Sequence, residues 1–461
     1  MTKYKNFIMV VLLFLVVFSV RENIVYAQII QIEDSKNIMP LHERVKLTEK
    51  WWKWKRQNVL PMVMREQGVD MWIIRDDEAD LYYNNQGPVY VSLLPANHQG
   101  LTYPSQYARP GSQRLPRLLM LYDTGKKIEY VEPRDYAHII QLVKGRNPKT
   151  IAIGQHNKEE MMKALGKEFA SRAVDSWTLG VRWLETVSPE RISLYRHVQK
   201  VANEVIAEAF SNKVVIPDVT TTEDLNWWVL HKYLELGLDM ENYPTVNVQR
   251  SDENMAKYDD PPEYFRNGRT NNGVSVAIRR GDIISCDTDL YLLGLITDSH
   301  QHAYVLKNGK TDVPGPLKEA LRKVNQMQDL FRKEFKVGRT GKEIVAAAKK
   351  IKPLEGIIAT SLGFHPPPMY IWRFWLGGYM FDRKSYVAGM TSGPGYYPTS
   401  IVTNNHKLYY NTLYAFEPHT RVAVPGWKHG VELGIGQIAA FTEEGLQYLA
   451  RPQEHKWHVI K

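Results

Sequence analysis

The stretch Arg279–Gly309, RRGDIISCDTDLYLLGLITDSHQHAYVLKNG, decides how the chain is read. Arg280-Gly281-Asp282 is a turn that enters a short apolar run, Ile283–Asp287. Thr297–Leu306 is a second run, rich in β-branched and aromatic residues, and the two together predict a pair of adjacent strands. Asp287 closes the first run and Asp298 opens the second. A tight connection would bring such residues side by side. A carboxylate at a buried strand end is costly unless it is paired, hydrogen-bonded or on a metal. Two of them facing one point suit a hard or borderline divalent cation. The plain alternative is that each Asp only caps a turn.

On the N-terminal side, residues 41–67 predict a helix with a break or kink before Pro61, because proline removes a helical donor. Val69–Arg75, Leu118–Asp123, Ile128–Glu132 and Thr150–Gly154 predict strands, the middle two forming a hairpin. Lys158–Arg172 carries Met161, Met162, Leu165 and Phe169 at helical spacing. Strands alternating with helices argue an α/β N-terminal domain. Ser188-Pro189 opens a helix with Leu194, Val198, Val201 and Val205 on one face. Thr220–Asp224 caps another, and Pro244–Val248 is a strand. Beyond the central stretch, Leu317–Lys336 and the capping box at Thr340–Glu343 predict two more helices before a mostly β segment. The second half therefore reads as α+β, with helices over a curved antiparallel sheet. The expected division is a leader over 1–27, an N-terminal domain over 28–186 and a C-terminal domain over 187–461.

The leader follows from Lys3 and Lys5, the apolar run Phe7–Val20 and the small residue at Ala27, the pattern of a secretory signal peptide. The run is about 14 residues, short of the roughly 20 that a membrane span needs. The expected address is the periplasm. Cys286 is the single cysteine, so no intrachain disulfide forms. The formal charge of +9 becomes about +7 without the leader. No Lys/Arg block, zinc-finger spacing or RNA-recognition string accompanies it, which argues against nucleic acid. The 12 Trp and 26 Tyr are mostly packing residues, a minority of them suited to lining a sugar or peptide groove.

Gly281-Asp282, Asp287, Thr297-Asp298, His302 and Tyr304-Val305-Leu306 resemble the first half of the metal signature of the creatinase, prolidase and aminopeptidase P family. Exported bacterial Xaa-Pro peptidases are the members it resembles most. The resemblance implies the pita-bread fold for the C-terminal half, a non-catalytic partner domain before it, a small peptide or other small molecule as substrate, and a homodimer. It also implies two Asp, one His and two Glu that hold two ions about 3.5–4 Å apart and activate a water between them. Asp287 and Asp298 match the two Asp, and Glu417, in Tyr414-Ala415-Phe416-Glu417-Pro418, matches the first Glu.

The remaining positions depart from the pattern. Thr360 stands at the ligand histidine and Pro367 at the histidine that assists catalysis, with His365 between them. Counting back from Thr442-Glu443-Glu444-Gly445 puts Gly436 at the second Glu, and Glu432 lies four residues earlier. Asp289 is an acid where the family prefers glycine. The expectation is a degenerate centre with metal ligands Asp287, Asp298 and Glu417, and with His365 and Glu432 as catalytic candidates. It would hold one divalent ion (manganese, zinc or cobalt) or none, and run classical Xaa-Pro cleavage weakly or not at all. Three functions stay open: a peptidase with realigned ligands that include Asp289; a non-peptidase enzyme, as in creatinase-type C–N cleavage or elimination; and a binding protein that kept the fold without the chemistry.

Overall fold

The computed structural model describes residues 41–75, 93, 118–154, 158–240, 243–292, 295–365, 369–376, 379–385, 406–451, 453–454 and 456–461. The leader lies outside them. Among the described residues no helix is long and apolar enough to cross a membrane.

The N-terminal part runs α1 (Leu41–Glu66), β1 (Met71–Arg75), β2 (Leu118–Asp123), β3 (Ile128–Val131), α2 (Tyr136–Arg146), β4 (Ile151–Ile153), α3 (Lys158–Ala170), β5 (Ala173–Asp175) and α4 (Trp177–Glu185). The strands form one mixed sheet in the order β3-β2-β1-β4-β5. Side chains alternate across it, as strand geometry requires. Trp72 and Ile74 face a core shared with Val59, Leu60, Val63 and Met64 of α1 and Leu179 and Trp183 of α4. Met71 and Ile73 face Ile139 and Val143 of α2 and Met161, Leu165 and Phe169 of α3. The expected break before Pro61 is absent, since α1 continues through it. Burial of Val59, Leu60, Val63 and Met64, which flank the proline, keeps that turn in place despite the missing donor.

The second part continues with α5 (Pro189–Ala209), α6 (Thr222–Glu235), β6 (Asp239–Met240), β7 (Thr245–Gln249), α7 (Asp252–Lys257), β8 (Phe265–Arg266) and β9 (Arg269–Thr270). Then come β10 (Ile283–Thr288), β11 (Leu290–Leu292), β12 (Leu295–Ile296), β13 (Ser299–Val305), α8 (Gly315–Arg332) and α9 (Gly341–Ala348). The final β segment holds β14 (Ile357–Ser361), β15 (Phe364–His365), β16 (Met369–Leu376), β17 (Tyr379–Ser385), β18 (Thr412–Phe416), β19 (His419–Val424), β20 (Trp427–Gly434), β21 (Gln437–Thr442), β22 (Gly445–Tyr448) and β23 (His458–Ile460). The expected caps form: Ser188 accepts from Arg191 N, and Thr221–Asp224 and Thr340–Glu343 are reciprocal capping boxes.

Among the described residues this part has sheets ordered β23-β13-β10-β7-β9-β8, β14-β19-β20, β15-β18-β21-β22, β12-β11-β6 and β16-β17. On one face of β10, Ile284 and Cys286 join Val246, Val248, Ala303 and Val305 in a core with α5 and α6. On the other, Ile283 and Tyr304 pack with Leu317, Leu321 and Val324 of α8 and with Val422 and Leu433. Asp287 lies on that second face by alternation. The connection from β10 to β13 is longer than a tight turn. It is itself a hairpin, β11–β12, that joins β6 in a small separate sheet.

Candidate functional site

The register of β10 against its neighbours places the acids. Asp287 stands opposite His300 on β13 and Thr245 on β7, and Ser285 stands opposite His302 and Asn247. Directly opposed residues share a face, so Asp287, Ser285, His300 and His302 share one surface. Asp298 precedes β13 and falls on the His300 side by the two-residue period. Asp287, Asp289 and Asp298 each bring a carboxylate oxygen within 4.8 Å of the others, close enough to share one metal ion. Asp289 is thus one of the acids gathered here, and is more than a solvated turn residue.

Glu417 follows β18 and is fixed by a close backbone approach. Its N donates to Gly363 O at 2.9 Å, and a Cβ at residue 363 would lie 2.9 Å from Glu417 O. Glycine is required there because any side chain would collide with backbone. The Glu417 charge acts on Asp287. Burial raises the proton affinity of Asp287 well above the usual carboxylate range, and Asp289 and then Glu417 raise it further. Like charges crowded in a poorly solvated place cannot all ionise without a counter-ion.

Of the two positions that depart from the ligand pattern, Gly436 lies beside this group. Thr360 is opposite Thr420 in the β14–β19 pair, with its hydroxyl 3.0 Å from Thr420 Oγ1 and 3.3 Å from His419 O. Gly436 faces Asp298: a Cβ there would lie 3.2 Å from Asp298 Oδ1 and 3.1 Å from His300 Cβ. The second position therefore points at the acid group but carries nothing to ligate with. Glu432 does not replace it. It pairs with Arg421 and with Arg269 (3.5 Å to Arg269), and Gln249 clasps its backbone at 2.6 and 2.9 Å. The register shift that would bring Glu432 to the acids does not occur, because its arginines hold it away. His365 is paired with Ala415 on β15; its side chain and Pro367 lie outside the described residues.

Three imidazoles sit beside the acids. The His300 ring centre is 4.9 Å from that of His302 and 5.7 Å from that of His419. His302 Nε2 lies 2.9 Å from Gly434 O. His419 occupies the space a side chain at 434 would need, since a Cβ there would come within 2.4 Å of His419 Cε1. His300 Nε2 is buried without a hydrogen-bond partner among the described residues. Burial shifts all three toward the neutral form, His300 strongly and His302 to about 3. His300 and His419 escape the reading of the sequence given above, although Asp298-Ser299-His300-Gln301-His302 alternates in a way that puts both His300 and His302 on the Asp298 face. Arg269 also escapes it, and its charge acts on Asp287 and on all three histidines.

The donor set fits one divalent cation. Three carboxylates can surround a hard or borderline ion.

Among solved structures, the chain is similar to an X-Pro aminopeptidase from Thermotoga maritima MSB8, at 14% identity over 86% of this chain and 99% of that one, with a TM-score of 0.48. It is similar to a His350Ala Escherichia coli aminopeptidase P at 13% identity, over 88% and 97%, with a TM-score of 0.49. A Xaa-Pro dipeptidase from Bacillus anthracis gives 13%, 89% and 100%, with a TM-score of 0.44. No curated protein matches the chain. The family model for metallopeptidase family M24 matches residues 193–435, more than half of the chain and nearly all of the site described above. The chain belongs to metallopeptidase family M24, and its α+β half has the pita-bread fold.

Proposed function

We propose that this protein is an M24 member with a carboxylate-only centre for one divalent cation, and that it cleaves Xaa-Pro peptides weakly or not at all. The observation that supports this most is the approach of Asp287, Asp289 and Asp298 to within 4.8 Å of one another, beside a glycine at 436. A cation held by these acids, with Glu417 adjacent, would act as a Lewis acid toward a carbonyl oxygen. Asp287, with its raised proton affinity, holds a proton when no cation neutralises the group. This protonation favours, as a second reading, acid-assisted chemistry other than peptide hydrolysis on the same fold. The substrate class is a small peptide or a related small molecule. The leader sequence supports a periplasmic address.

The test is the metal content of the purified protein, measured with a manganese, zinc and cobalt titration and an Xaa-Pro dipeptide assay. One site per chain with little or no turnover is expected. Two tight sites with cleavage at the rates usual for such peptidases would overturn the proposal.

A further inference from the structure

Around Arg269 and Glu432 lies a polar cavity of about 470 Å³ that neither the ligand pattern nor the proposed function uses. Gln249, Arg266, Arg269, Asn272, Arg421 and Glu432 line it. Three guanidinium groups there face one carboxylate, so the wall is positive. Glu432 is divided between Arg421 and Arg269. Burial works against its ionisation, but the Arg421 hydrogen bond and the charges of Arg421 and Arg269 outweigh it and hold Glu432 below its usual range. Glu432 therefore stays charged and orients two arginine forks without neutralising the third. Arg266 makes no ion pair with any described carboxylate. Arg269 Nε is buried with no acceptor among the described residues. Buried donors are almost always satisfied, so an unsatisfied one invites an incoming acceptor.

The cavity has a fixed relation to the acids. Gln249 is opposite both Ile283 of β10 and Arg269 of β9. Ile283 is four residues from Asp287 on the same strand face, an offset of roughly 13 Å along the strand direction. That is about the length of an extended peptide of four residues. Arg269 spans part of the gap, since its charge reaches Asp287.

We propose that this cavity is an anion-recognition subsite. It takes the carboxylate or phosphate terminus of an extended small ligand whose other end reaches the acid group. Guanidinium forks match planar carboxylates and phosphates with paired hydrogen bonds. The subsite needs no cation at the acids, so it stands apart from the metal reading.

Calorimetry on the purified protein, with and without chelator, tests it using three probes: Gly-Pro-Gly-Gly as the free acid, the same peptide as its C-terminal amide, and inorganic phosphate. The expected result is binding of the free acid at least tenfold tighter than the amide. Arg266→Gln and Arg421→Gln should each weaken that binding at least fivefold while leaving the thermal midpoint within a few degrees. Arg421→Lys should fall between, keeping the charge and losing the fork. Phosphate binding with the same arginine dependence, and no preference for the peptide acid, would assign the subsite to a phosphate-bearing ligand. Equal affinity for acid and amide with no phosphate binding, or binding indifferent to both arginines, overturns the proposal. Metal stoichiometry, read separately, does not enter the result.

Discussion

The α-carbon of Gly436 faces the carboxylate of Asp298, so that a Cβ added at 436 would rest 3.2 Å from Asp298 Oδ1. The fold directs this position at the acids, where glycine brings no side chain. Supplying one is the sharpest test of the one-cation centre. Gly436→Glu combined with Thr360→His should raise the bound divalent ions from one to two per chain in a metal titration. The new Cβ presses on His300 Cβ at 3.1 Å, so Gly436→Glu alone should destabilise the protein by about 1–3 kcal/mol. A stoichiometry that stays at one would mean that the surrounding backbone no longer fits a second ion.

Asp289 offers a contrast in the opposite direction. Removing it as Asp289→Gly should weaken manganese binding about tenfold or more, which is about 1.4 kcal/mol. In metal-free protein the same position should behave in the reverse sense. Asp289 is the first charge that raises the proton affinity of Asp287 after burial. Asp289→Asn should therefore stabilise the chelated protein by about 1 kcal/mol, the scale of one pKa unit. Thermal melts with chelator and with manganese check both halves. A variant that weakens neither the binding nor the repulsion would remove Asp289 from the group.

His419 and Gly434 form a complementary pair. A Cβ at 434 would come within 2.4 Å of the His419 ring. Gly434→Ala should cost about 1–3 kcal/mol by overpacking, and His419→Ala in the same chain should return part of the loss. Denaturant titrations of the two single variants and the double variant measure the coupling. Additive losses would mean that the ring moves aside freely.

Acidification should destabilise the protein. Burial lowers His302 to about 3 and His458 to about 4, and shifts His300 and His419 the same way. Unfolded histidine titrates near 6.5, so the unfolded chain takes up protons first. The stability these residues lend is present above about pH 6.5 and is lost as pH falls toward their folded values. Asp282 has the opposite sign. Burial raises it to about 6, although Arg250, the Arg279 N–H and Asn254 all donate to it. Its contribution is lost as pH rises from about 4 to about 6. Asp287, raised by burial and by Asp289 and Glu417, adds to Asp282 with the same sign. Four histidines outweigh these two carboxyls, so the thermal midpoint should drop between pH 6.5 and 4, and less steeply in His302→Gln. A midpoint that rises over this range would contradict the neutral histidine cluster.

Much of this was legible in the linear chain. Period-two runs located β10 and β13, and the boxes at Thr221 and Thr340 located two helix starts, because these signals involve residues only a few positions apart. The break expected at Pro61 did not occur, since packing around Val59, Leu60, Val63 and Met64 supplied what the lost donor withdrew. Glu432 read as a spare acid near the right place. Its arginines come from 163 and 11 residues away, at Arg269 and Arg421, and no local pattern announces them.

By itself the sequence determined the family, the two architectures and which residues stand at positions 360 and 436, because these depend on residue identity and local spacing. Only the tertiary structure decided that Asp289 turns toward Asp287 and Asp298, that three imidazoles fill the space beside two glycines, and that Glu432 is held by arginines in a separate cavity. Each of these is a meeting of side chains from strands far apart in the chain, and it is set by sheet register and by the volume a glycine leaves empty, neither of which a linear pattern records.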